Sequence, residues 1–135
     1  SGLEDDFKTS FKAAKAKGFN VLVTISHSAP YDISDASLLL DSFFDDANID
    51  ILSPQLYTTG EETENNYETS HGVNWARYAT CKAAIVPSLV TGSLYPSAQS
   101  YFSQQGFRKS EAGIWRLYRN LCRLHHLDRG FCSTK

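Results

Sequence analysis

Two hydrophobic periods alternate along the chain. Leu3, Phe7, Phe11 and Ala14 recur at three- and four-residue steps with lysines between them, which predicts an amphipathic helix over 3–17. Glu4, Asp5 and Asp6 in its first turn and lysines in its last suit the helix dipole, and Gly18 supplies a stop. The period then shortens. Val21 to Ser26 is a β-branched run of the kind buried on both faces of a parallel sheet. Ser34 and Asp35 are positioned to cap a helix over 36–46 that carries Leu39, Leu40, Phe43 and Phe44 inward. A second strand is expected over 49–57, with Pro54 awkward in a central strand and therefore placed at its end.

The alternation continues to the end of the chain. A long polar loop over 58–72 carries Glu61, Glu62 and Glu64. After it come a helix over 73–82, a strand over 83–90, a helix over 95–105 stopped by Gly106, and a strand over 113–118. The tail is basic and reads as helical over 120–127. Four strands alternating with helices predict an α/β fold of parallel βα units in a single domain over 1–135. Polar and aromatic residues gather after the strand ends: His27, Ser28 and Tyr31, then Gln55 and Tyr57, Ser88, and Trp115 to Tyr118. In parallel sheets that carboxyl edge is where ligands bind.

These strand ends carry a resemblance. The ordered set is Val21-Leu-Val-Thr-Ile-Ser-His-Ser-Ala-Pro-Tyr-Asp32, Ile51-Leu-Ser-Pro-Gln-Leu-Tyr57, Trp75, Ala84-Ile-Val-Pro87, Tyr95 and Gly113-Ile-Trp115. It resembles the second half, strands five to eight, of a glycoside hydrolase family 18 barrel of the hevamine-like chitinase type. Each motif is short, and their shared order is more specific than any one of them. The resemblance implies half of a TIM barrel; the alternative fold is a small open flavodoxin-like parallel sheet. It also implies that Gln55 and Tyr57 face the sugar at the cleavage point, where the substrate's own acetamido group attacks. Trp115 would form the floor beneath that sugar, as an indole stacks on the apolar face of a pyranose. Thr58 departs from the Asn that usually follows the Tyr.

The family's acid motif, D-x-x-D-x-D-x-E, is absent. Without it no proton reaches the leaving oxygen, so no hydrolysis is expected of this chain alone. Asp5, Asp6, Asp45, Asp46, Glu61, Glu62 and Glu64 are the available substitutes, and each reads more simply as a cap or a solvated charge. Three functional classes follow. The first is a chitinase-like module that binds N-acetylglucosamine-containing glycans, such as chitooligosaccharides, without cleaving them. The second is one half of a split chitinase, active only with its acid-bearing upstream half. The third is a small α/β protein-interaction domain. A family barrel has eight strands and about 250 residues. Four strands would leave two open edges, which predicts closure by a second copy in a homodimer or by the upstream half.

Composition adjusts this picture in a few places. The net charge of −2 conceals four lysines against thirteen acids in residues 1–70, a net of −9, and nine basic residues against two acids in 71–135, a net of +7. Such polarity suits either two solvated faces of opposite sign or self-pairing between copies. No strongly basic balance points to nucleic acid, and no apolar run reaches membrane-spanning length, the best being 36–40 before Asp41. Methionine is absent, which predicts a chain cut from a longer product, with Ser1 and Gly2 left by processing or cloning. No secretory leader or Asn-x-Ser/Thr sequon is seen; a secreted setting is implied by the resemblance alone.

His27 reads as a hydrogen-bonded strand-end histidine rather than a base, since no G-x-S-x-G elbow accompanies Ser26 and Ser28. Cys122, His125, His126 and Cys132 cluster in the tail. They suit a Cys122–Cys132 disulfide, with Cys81 a buried free thiol, or unpaired cysteines, better than zinc, because the spacing is not that of a finger. Arg116, Arg119, Arg123 and Arg129 form a stripe that reads as solvated or interfacial rather than anion-binding. No cofactor and no metal are expected.

Overall fold

The computed structural model describes residues 2–26, 31 and 33–107. The predicted strand over 113–118, the tail helix, Trp115, His27, Ser28 and the Cys122–Cys132 cluster lie outside the described residues. Within them the chain is mixed α/β. Its elements are α1 (Glu4–Ala16), β1 (Leu22–Ser26), α2 (Ala36–Asp45), β2 (Ile51–Gln55), α3 (Trp75–Ala79), β3 (Ala84–Ile85), a short 3₁₀ turn (Gly92–Leu94) and α4 (Tyr95–Gln104). The strands form one small open parallel sheet in the order β1-β2-β3.

The sheet has two unlike faces. Val23 and Ile25 of β1 alternate with exposed Leu22 and Thr24, and the register aligns Val23 with Leu52 and Ile25 with Pro54. Val23, Ile25, Leu52, Leu56 and Ile85 join one core with Leu39, Leu40, Phe43 and Phe44 of α2 and with Trp75 and Tyr78 of α3. Phe7 and Phe11 of α1 pack onto it edge-on against Phe43. The helices thus cover one face, as their inward stripes require. Burial of both faces of β1 was expected from its sequence. Leu22 is 47% exposed instead, because the helices lie on the other side.

Turn chemistry sets the helix ends. Gly18 adopts φ 81°, and its N–H and that of Phe19 close onto the Lys15 and Ala14 carbonyls at 2.9 and 3.2 Å. Asp35 occupies the cap position of α2 but makes no side-chain cap bond, whereas Asn74 caps α3 by accepting the Arg77 N–H. The third helix is shorter than its pattern suggested, five residues starting at Trp75, whose indole N–H donates to the Tyr67 carbonyl at 2.9 Å.

Pro54 lies inside the central strand, not at its end, and it shapes β3. In a parallel ladder alternate residues serve opposite neighbours. Residues 50, 52, 54 and 56 serve β3: Ala84 donates to Asp50, Val86 to Leu52 and Ser88 to Pro54, while Leu56 donates to Ser88. The missing rung is the N–H that residue 54 would offer to Val86, which proline lacks. The third strand was expected over 83–90. The regular ladder instead ends at Ile85, and pairing resumes only as an isolated bridge between Gln55 and Ser88.

At the opposite edge Asp50 ties three elements. Its carboxylate takes the Lys15 ammonium at 2.8 and 3.0 Å and the Val21 N–H at 2.7 Å, while its carbonyl takes the Ala84 N–H. Partial burial disfavours its charge, but Lys15 and the Val21 N–H outweigh that and hold its pKa below the ordinary carboxylate value. A depressed pKa contributes stability that is complete above the unfolded-state value and lost as pH falls through the folded one. Asp50→Asn therefore lowers the thermal midpoint at pH 7, and the gap to wild type shrinks below about pH 4. A midpoint difference that stays constant across an acid titration would contradict this.

The Tyr78 ring packs against Phe44 and Trp75. Its hydroxyl is buried without a hydrogen-bond partner among the described residues, and burial raises its pKa. Tyr78→Phe removes an unpaired polar atom from an apolar surround, so calorimetry should show stabilisation by about 1 kcal/mol. Destabilisation would mean that the hydroxyl is satisfied in solution.

Candidate functional site

The face of the sheet away from the described helices carries polar side chains at its carboxyl end. The register sets Ser26 beside Gln55, and the isolated bridge sets Gln55 beside Ser88, so the three form a row across the strand ends. One step toward the amino end Thr24 aligns with Ser53. Side chains two apart on a strand share a face, which puts Ser53 with Gln55. The Ser53 and Ser88 hydroxyls share a hydrogen bond of 2.7 Å that ties β2 to the chain beyond β3 where the backbone rung is missing. Ser53 is buried and Gln55 half-buried.

Tyr57 follows on the same alternation. Leu56 between them is fully buried in the helix-side core, donates its N–H to Ser88 at 3.0 Å and accepts the Asn66 N–H at 2.9 Å. Tyr57 is half-buried. Neither its hydroxyl nor the Gln55 carboxamide has a hydrogen-bond partner among the described residues. Gln55 and Tyr57, paired from the sequence, are thus brought to one edge of the sheet. Trp115, assigned beside them by resemblance, lies outside the described residues.

Chemically the row is neutral: a carboxamide, hydroxyls and a phenol. Most of the described acids hold structure. Asp41 and Asp45 face Arg77 at 2.7 and 3.7 Å, Asp46 accepts from Asn48, and Asp50 holds Lys15. Glu62 binds the backbone of its own loop at Thr58, Thr59 and Gly60. Each of these carboxylates is engaged by other partners: Arg77, Asn48, Lys15 or the backbone of residues 58–60. Cys81 is a half-buried free thiol that donates to the Ala83 carbonyl, and burial pushes its pKa up to about 11, away from nucleophilic chemistry. Among the described residues no group of three or more His, Cys, Asp or Glu is placed to hold a metal ion, and no helix is long and apolar enough to cross a membrane.

Two contributors escaped the sequence reading. Ser53 sits two residues before Gln55, so strand alternation alone could have found it. The sequence reads residues 59–62 as a turn and Glu62 as a solvated acid; the clasp of its carboxylate on the turn's N–H groups is what it does not reveal.

No protein-family model, no curated protein and no solved structure matches the chain. The likeness to a family 18 barrel therefore rests on the order of its motifs, and the site is characterised by its own chemistry: a neutral hydrogen-bonding row at the carboxyl edge of a parallel sheet.

Proposed function

We propose that the carboxyl edge binds a neutral, N-acetylglucosamine-containing glycan without hydrolysing it. The observation that carries this reading is the convergence of Gln55 and Tyr57 on one face with Ser26 and Ser88, in a row whose described members carry no carboxylate. Hydroxyl and acetamido groups of a sugar match a carboxamide, a phenol and serine hydroxyls without charge on either side. Trp115 supplies the stacking floor in this proposal, on the strength of the resemblance alone.

The finer architecture that accompanies this function is four parallel βα units forming half of a TIM barrel. Two observations favour it: the sequential β1-β2-β3 order, and helices that all cover one face. A second reading follows, in which two copies, or this chain and an acid-bearing upstream half, close one barrel. The acidic first half and basic second half of the sequence suit pairing between copies.

Chitooligosaccharide titration followed by amide shifts tests the binding claim. Wild type should respond at residues around Gln55 and Tyr57, and Tyr57→Ala or Trp115→Ala should weaken binding about tenfold, the scale of a lost stacking or hydrogen-bonding contact. Sugar products should not accumulate. A flat titration would favour a protein-interaction domain with no glycan role. Light scattering at micromolar concentration tests assembly: a dimer mass supports barrel closure between copies, and a monomer mass removes it.

A further inference from the structure

The loop after Tyr57 is folded around one side chain. Glu62 Oε1 accepts the N–H groups of Thr58 and Thr59, each at 2.6 Å, and Oε2 accepts that of Gly60 at 2.8 Å. Three successive N–H groups converging on an anion form a nest, and here the anion comes from the same loop. Gly60 has φ 88° with nothing within 4 Å of where a Cβ would sit, so the turn demands glycine for its backbone and not for space. A second closure lies outside the first. The Asn66 N–H donates to the Leu56 carbonyl at 2.9 Å, and the Asn66 carboxamide donates to Thr58 Oγ1 at 3.0 Å. Tyr57 therefore stands between a fully buried residue bonded on both sides and a clasped turn.

The clasp holds over the ordinary pH range. The Thr59 N–H is the largest influence on the Glu62 carboxyl; partial desolvation opposes it, and the Thr58 and Gly60 N–H groups add to it. The pKa falls from 4.5 to about 2, so the carboxylate stays charged well into acid.

We infer that Glu62 is the positioning residue of the glycan site: by gathering the backbone of residues 58–60 it fixes the direction in which Tyr57 leaves the sheet edge. This rests on the glycan-binding function proposed above, and Glu62 itself touches no ligand. A tyrosine at a strand end followed by a free loop would lose orientational entropy on binding, and the clasp removes that cost beforehand.

Glu62→Ala and Glu62→Gln in the full chain test this with two readouts. The first is amide exchange at Thr58, Thr59 and Gly60, which reads the clasp without any ligand. It should quicken about tenfold or more in Glu62→Ala. The effect should be smaller in Glu62→Gln, whose oxygen still accepts from Thr58 and Thr59 while its NH₂ faces the Gly60 N–H. In wild type the same three amide shifts should titrate with a midpoint near pH 2, and in both variants that titration should vanish. The second readout is titration with an N-acetylchitooligosaccharide. Glu62→Ala should weaken binding about tenfold, and in a Tyr57→Ala background it should add nothing, because the clasp acts through Tyr57. Unchanged exchange overturns the clasp. Faster exchange with unchanged affinity, or losses that add in the double variant, overturns positioning. A flat wild-type titration removes the glycan function and the positioning role with it, while the exchange data still report the clasp.

Discussion

Alternate residues of β2 must serve opposite neighbours, and one of those facing β3 is a proline. Most of the sheet's character follows from this. Asp50, the first of the set, serves β3 through its carbonyl and ties Lys15 and Val21 through its side chain, so the amino edge is locked to α1 and to both flanking strands. Pro54, the third, accepts from Ser88 but offers nothing to Val86, so the ladder breaks on the carboxyl side. The Ser53–Ser88 hydroxyl bond then stands in for the lost rung and brings a polar side chain to the strand ends. Ionic ties are concentrated at one end of the sheet, and neutral polar side chains at the other.

The two faces divide the same way. The helix face carries the apolar load: Val23, Ile25, Leu52 and Ile85 beneath Leu39, Leu40, Phe43 and Phe44. Ile51 and Val86 are buried too, yet neither joins that core, since alternation puts them on the opposite face among Thr24, Ser53 and Ser88. Among the described residues that face has hydroxyl groups but no charge. Paired charges cluster instead at helix ends and elsewhere on the helix side. Arg77 bridges Asp41 while lying over Phe44, and Lys82 donates to the last carbonyl of α2, where a cation opposes the helix dipole favourably. Ion pairing thus tightens helix packing and leaves the sheet row neutral.

How far this was legible depends on whether the cause is local. The inward set of α2 and the position of Gly18 follow from three- and four-residue spacing and from one glycine's φ, and the structure reproduces both. The three described strands were legible in place but not in length. That β3 ends at Ile85 is caused by a proline thirty-one positions earlier on another strand, which no window along 83–90 can contain. At the site, Gln55 and Tyr57 were singled out by the resemblance; residue type and strand-end position alone fit a core aromatic at Tyr57 as well. Glu62 was not singled out, because its role depends on where three N–H groups of a turn point. A run of acids in a polar loop gives no hint of that.

Among the described residues β1 has β2 as its one strand partner, and its outer edge constrains any further pairing. Residues 21, 23 and 25 serve β2, so the backbone groups of Leu22, Thr24 and Ser26 turn outward along the edge. The middle carbonyl is already engaged: the Tyr31 hydroxyl donates to Thr24 at 3.2 Å while its ring lies against Phe7 and Phe43. Tyr31 holds that post at φ 53°, a left-handed backbone that costs an aromatic residue more than a glycine. A strand adding to this edge must displace the hydroxyl from Thr24 and open the aromatic contact that anchors α1. Against that stand the relief of the backbone strain and the new rungs to Leu22, Thr24 and Ser26. A strand pairing with β1 would therefore meet the Tyr31 contact as well as the backbone edge.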